Sequence, residues 1–135
     1  MIQIPFPIYL LVPSGIFIFL VGFYGWLKVK TKENLIFFGL SVLYSLWSLG
    51  TFMMWQCCGN DAKVIFWDRF LYLAAIFVPP IIYHFSIEFC KIRTQKVPLF
   101  FSYLLAVFFA FLSRTDYFVK DVFSYQWGCH TQAQI

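Results

Sequence analysis

Residues 7–27 read PIYLLVPSGIFIFLVGFYGWL and carry no charged side chain. A helix needs about 20 consecutive apolar residues to cross the hydrocarbon core of a bilayer, with a usable range of about 17–25. The apolar run Ile16-Phe17-Ile18-Phe19-Leu20-Val21 is continuous. Strands of a membrane barrel would instead alternate over segments of about 10 residues. A spanning helix also satisfies its own backbone hydrogen bonds in lipid, which an isolated strand cannot do.

Working outward, the same gap in charge recurs three times. Residues 1–27, 34–60, 70–87 and 97–113 hold no Asp, Glu, Lys or Arg. They predict four transmembrane helices, over 7–27, 35–57, 68–89 and 97–113, the last continuing into 115–119 if it is to lengthen. The expected fold is an all-α membrane protein with the four helices in an antiparallel bundle, forming a single membrane domain over 1–135. Pro7 suits a helix start, and Pro13 should kink the first turns. Asp68 is the expected N-cap of the third helix.

Composition excludes the other classes. The 135 residues are 61% hydrophobic, 24% aromatic and 12% charged, against about 25% charged in an average soluble domain. The mean hydropathy is +0.77. A soluble domain of this size leaves roughly 30% of its surface wet, which this composition cannot cover with polar groups. Disorder needs more polar residues, and 4 Cys are too few for a disulfide scaffold. The N-terminus lacks the basic region and cleavage site of a signal peptide, so the first helix is expected to be retained.

Basic residues set orientation. Lys28, Lys30, Lys32, Lys91, Arg93 and Lys96 fall on one side of the serpentine, and Lys63, Arg69, Arg114 and Lys120 on the other. This places both termini outside and the lysine-rich loops in the cytoplasm. The outer tail 114–135 partly alternates between residues 117 and 127, which predicts a short strand or hairpin at the interface. It ends without a further domain, so a fragment truncated after the fourth helix is expected.

His84 and Glu88 lie four apart on the third helix and share one face. Ionisable groups in a membrane are costly and are functional candidates, here for proton or metal sensing. Two ligands do not make a metal site. The structural alternative has Glu88 reaching Lys91 or Arg93, and His84 bonding a carbonyl or hydroxyl of a neighbouring helix. Pro79 and Pro80 remove two donors in mid-membrane and free carbonyls near Ala75 and Ile76. They are either a fixed bend or a hinge that opens a small ligand cavity. Arg69 either snorkels to head groups, pairs with Asp61 or Asp116, or binds a ligand at the outer mouth.

Cys57, Cys58 and Cys129 all fall on the outer side, where disulfides persist. Cys57 or Cys58 can bridge to Cys129. A zinc site with His130 is a weaker reading, because the spacing fits no common pattern. Cys90 is expected to be buried or at the inner interface. Ser41, Ser45 and Ser48, with Gly39 nearby on the second helix, and Gly15, Gly22 and Gly25 on the first, form small-residue faces that permit close helix approach.

Longer words in the chain point to a family. The third helix reads Phe66-Trp67-Asp68-Arg69-Phe70-Leu71-Tyr72-Leu73-Ala74, then Val78-Pro79-Pro80, then Tyr83-His84-Phe85 with Glu88. After the fourth helix come Thr115-Asp116-Tyr117-Phe118-Val119-Lys120 and Tyr125-Gln126-Trp127-Gly128. Together these resemble the N-terminal seven-helix membrane region of bacterial sensor histidine kinases, from about residue 10 to about residue 130. The resemblance implies a multi-pass protein of the bacterial inner membrane and the input part of a two-component system.

No phosphoacceptor helix, ATP-binding domain or Gly-rich nucleotide loop is present in the sequence, so the chain itself is expected not to be an enzyme. No cofactor is expected. The expected partners are the lipid bilayer, a small ligand and a second copy in a homodimer. Nucleic acid is not expected, since the +4 charge is divided among membrane loops. Two other functions fit the residues less directly: a four-helix transporter working as a dimer, which lacks a carboxylate deep in a helix, and a non-catalytic membrane scaffold.

Overall fold

The computed structural model describes residues 6–92, 94–115, 119–125 and 128–133. The order of elements is α1 (Phe6–Tyr9), α2 (Leu11–Lys28), α3 (Lys32–Gln56), α4 (Asp61–Phe89), α5 (Lys96–Leu112), β1 (Val119–Tyr125) and β2 (Gly128–Ala133). Helices α2, α3 and α4 are long and apolar enough to cross a membrane, and α5 is a shorter apolar helix. At 17 residues, α5 reaches about 25 Å, near the lower limit for a span. The chain is an all-α membrane protein with a small β-hairpin appended.

Local chemistry explains the boundaries. Pro13 has no N–H to give to the carbonyl of Tyr9, and α1 ends at Tyr9. The kink expected there appears as a break at Leu10, between α1 and α2. The α2–α3 loop is tied by Asn34, whose Nδ2 donates to the Val29 carbonyl at 2.8 Å. Thr31 caps α3 by accepting from the Asn34 N–H.

The third span starts a full two turns earlier than charge spacing predicts. Gly59 takes φ +98°, and Asn60 caps α4 by accepting from the Lys63 N–H at 3.2 Å. Asp68 is therefore not an N-cap. It lies inside the helix, where only 7% of its surface is exposed. The charge-gap rule failed because three charged residues of the first two turns, Asp61, Lys63 and Asp68, belong to a helix that begins outside the apolar stretch.

At the other end of α4 the chain turns without glycine. Lys91 has φ +56°, the Ile92 N–H bonds the Ile87 carbonyl at 3.0 Å, and the Lys91 N–H bonds the Glu88 carbonyl at 3.2 Å. This is a Schellman ending with a lysine in the left-handed position. Helix α5 stops at Leu112, and the Ser113 N–H closes on the Phe109 carbonyl at 2.8 Å. The fourth span thus ends before Thr115.

Packing follows the small residues. Ser45 Oγ donates to the Gly15 carbonyl at 2.8 Å, which requires α2 and α3 to lie almost backbone to backbone. A Cβ at Gly22 would meet Ser41 Oγ at 2.3 Å and the Phe38 Cα at 3.4 Å. Gly25 and Gly39 both face open space, so only Gly15 and Gly22 of the expected glycines serve the contact. Gly50 opens α3 to Leu71 and Phe70 of α4.

The tightest cluster sits at the end opposite the lysines. It joins Ile8, Met54, Trp55, Val64, Leu71 and Cys129, with Val122 and Trp67 packed against it. Most other large side chains face outward, as lipid-facing residues do: on α5 these include Phe100, Phe108 and Phe111. Strands β1 and β2 pair antiparallel, from Val119↔Ala133 to Tyr125↔Gly128. The hairpin expected from the alternating tail is present, and it covers the cluster.

Candidate functional site

Three places on α4 carry the candidate residues. The first is near the lysine-rich end. His84 Nδ1 lies 3.1 Å from the Tyr103 hydroxyl of α5, and the two rings meet edge to face at 5.9 Å. One turn on, Glu88 lines a small cleft of about 200 Å³ with Glu33, Lys91 and Lys96. The neighbouring Tyr83 hydroxyl donates to Gln95 Oε1 at 2.9 Å. His84 and Glu88 therefore face different partners rather than one shared ligand. Among the described residues, no group of three or more His, Cys, Asp or Glu is placed to hold a metal ion. Arg93, the other expected partner of Glu88, lies outside the described residues.

The second place is mid-helix. Helix α4 runs unbroken through Pro79 and Pro80. Neither proline has an N–H, so the carbonyls of Ala75 and Ile76 lack their usual donors four residues on. Pro79 and Ala75 line an apolar cleft of about 530 Å³ whose other walls include Ser41, Tyr44 and Trp47 of α3 and Ile18 of α2.

The third place is the disulfide end. Cys58 bridges Cys129, with Cα atoms 5.7 Å apart and a separation of 71 positions along the chain. Cys57 is free and half-buried, and Cys90 is free and exposed. The bridge occupies two of the three thiols that a zinc site with His130 would need. Cys90 stands at the end of α4 and is exposed rather than buried. Two residues beyond Cys129, Thr131 Oγ1 donates to Asp68 Oδ2. The hydroxyl thereby satisfies part of a carboxylate that burial would otherwise penalise.

Asp68 also lines a cleft of about 230 Å³ with Trp47, Thr51, Met54, Leu71, Tyr72 and Ala75. Arg69 is half-buried beside it in sequence. Its suggested partner Asp116 lies outside the described residues, as do Tyr117, Phe118, Gln126 and Trp127. Sequence reading missed Tyr103 and Thr131. Each is a single hydroxyl in an apolar or alternating stretch, and only the partner across the fold gives it a role. The cysteines were the one signal that the tail returns to the start of α4.

These features define a multi-helix membrane module with polar contacts at both ends and a proline-lined cleft between them. The family described as the N-terminal 7TM region of histidine kinase matches residues 10–131. The chain belongs to that family. No curated protein and no solved structure matches it.

Proposed function

We propose that the chain is the sensory input region of a membrane signalling protein, acting without catalysis of its own. The observation that supports this reading is the family match over 10–131. In this reading a stimulus acts on the helices, and displacement of α4 and α5 at the lysine-rich end passes to a cytoplasmic output. A stimulus can do so only by favouring one of two arrangements over the other. Pro79–Pro80 is the hinge, and the His84–Tyr103 contact couples α4 to α5. A small ligand, Arg69 near the mouth, and pairing of two copies belong to the same proposal.

Orientation belongs to it as well. The lysine-rich loops are cytoplasmic, and the Cys58–Cys129 bridge lies outside, where disulfides persist. The setting is the bacterial inner membrane.

Both parts are open to experiment. In a Cys57→Ser chain, a membrane-impermeant maleimide should label Cys90 only after cells are lysed, and labelling of intact cells overturns the orientation. A fluorophore on Cys90 of the full chain in nanodiscs should respond to a pH step, and His84→Phe should abolish the response. An unchanged response in that variant removes His84 as a sensor. Proton or solute flux through proteoliposomes containing the chain would favour a dimeric transporter instead.

A further inference from the structure

The hydroxyls of α3 do not all end alike. Ser41 Oγ donates to the Phe37 carbonyl at 3.0 Å, Ser45 Oγ to the Ser41 carbonyl at 2.7 Å, and Thr51 Oγ1 to the Trp47 carbonyl at 2.9 Å. Each closes on the carbonyl four residues back. Ser48 does not: its Oγ is buried without a hydrogen-bond partner, and the residue is 1% exposed. It lies against α2, 3.5 Å from the position a Cβ on Gly15 would take. Ser48 stands eight positions before the end of α3 at Gln56, about 12 Å inside the helix. At that depth a bilayer holds no water to meet the group.

Ser48 forms part of the wall of a cleft of about 310 Å³ on the α2–α3 seam. The other walls include Gly15, Ile16 and Phe19 of α2 and Val42, Leu46 and Leu49 of α3. Ile16, Phe19 and Leu49 are exposed at the rim, so the cleft opens sideways onto acyl chains. Among the described residues, none of the side chains lining it is charged. The second hydroxyl there is already in use, since Ser45 Oγ also reaches the Gly15 carbonyl at 2.8 Å. The Ser48 proton is thus the open polar valence of an otherwise apolar site. The volume stands at the lower end of the range of about 300–1,000 Å³ typical of small-molecule sites.

We infer that this cleft binds a neutral, lipid-soluble carbonyl compound, with Ser48 Oγ donating to the carbonyl oxygen. Other classes of occupant fit worse. A carboxylate or amine head would carry a charge into an apolar wall. An alcohol adds a second hydroxyl proton, and of two hydroxyls facing each other one proton stays unmet. A plain hydrocarbon fills the space and leaves Ser48 as it is. A carbonyl accepts one proton and brings none. The alkyl chain lies along Ile16 and Leu46, where the α2 wall runs from Val12 to Phe19, about 10 Å at 1.5 Å per residue. Binding is read without any signal, so it stands or falls apart from the sensory reading.

The test uses the full chain in nanodiscs of phosphatidylcholine with ether-linked chains, which hold no competing carbonyl. The probe is dihexyl ketone with a diazirine at one chain end. Photolabelling should be saturable and map by mass spectrometry to the α2–α3 seam around Ile16 and Leu46. Dihexyl ketone itself should compete about tenfold better than tridecane, as one buried hydrogen bond implies. Ser48→Ala should bring the two competitors to equal strength. Val42→Phe fills the cleft, leaves Ser48 in place, and should abolish saturable labelling; this variant decides the matter if Ser48→Ala does not fold. Equal competition by tridecane, or by the alcohol of the same chain, overturns the proposal. So does a ketone preference kept in a folded Ser48→Ala chain, labelling unchanged in a folded Val42→Phe chain, or labelling at the same level along α5.

Discussion

Thr131 of the hairpin donates a hydrogen bond to the buried carboxylate of Asp68, across 63 residues of chain. The contact places a side chain of the polar tail against the helix that carries most of the candidate residues. Hydrogen bonds to charged groups contribute about 1.5–3 kcal/mol. Thr131→Val is expected to lower stability by that amount, and Thr131→Ser by much less. Urea unfolding of detergent-solubilised protein checks both, and equal losses would show that packing of the methyl group matters more than the hydroxyl.

The Cys58–Cys129 bridge closes a long loop. For a separation of 71 positions, the chain-entropy account gives about 4.4 kcal/mol. Of 4 cysteines, two are free, Cys57 and Cys90. Unreduced, denatured protein should therefore titrate two thiols, and reduced protein four. Cys129→Ala should titrate three without reductant and lose the mobility shift between reducing and non-reducing gels.

Helices α2 and α3 approach through Gly15 and Gly22. Gly22→Ala forces a methyl to within 2.6 Å of the Ser41 Cβ, and overpacking of this kind costs about 1–3 kcal/mol. Gly25→Ala meets nothing within 4 Å and is expected to be neutral or slightly stabilising. A difference in thermal unfolding between the two variants is the readout.

Lys91 occupies a backbone region that suits glycine, with φ +56°. A left-handed residue with a Cβ costs about 1–2 kcal/mol, part of which glycine gives back as unfolded-state entropy. Lys91→Gly should stabilise the α4 terminus by about 0.5–1 kcal/mol, and Lys91→Val should destabilise it. Hydrogen exchange at the Ile92 amide, which closes the turn on Ile87, reports the change locally.

His84→Phe and Tyr103→Phe each remove one side of the 3.1 Å contact. A double-mutant cycle on stability should give a coupling of about 0.5–1.5 kcal/mol. Additive losses would show that the ring contact, retained by phenylalanine, carries the interaction.

Much of this architecture is written in the placement of charges. The uncharged gaps gave the helices because a bilayer admits few alternatives, and the cysteines gave the returning tail because one bond decides it. The start of α4 was misread at Asp68, since a helix can extend beyond the membrane with charged turns that look like a loop. Asn60 and Gly59 were the better signs, a cap after a left-handed turn. The Lys91 turn was illegible, because its usual glycine is missing. Tyr103 and Thr131 acquired meaning only from His84 and Asp68, which lie far away in sequence, and no local pattern records such pairs.

The disulfide has one more effect. With Cys58 just before α4 and Cys129 in β2, the covalent link makes α4, α5 and the first strand a closed ring. Helix α5 has a single buried residue, Ala106, and little packing to hold it. The ring acts as a leash: however little of α5 is buried, the covalent path keeps it from drifting away from the bundle. Loose side-chain contact and fixed proximity, ordinarily in conflict, coexist in the same helix.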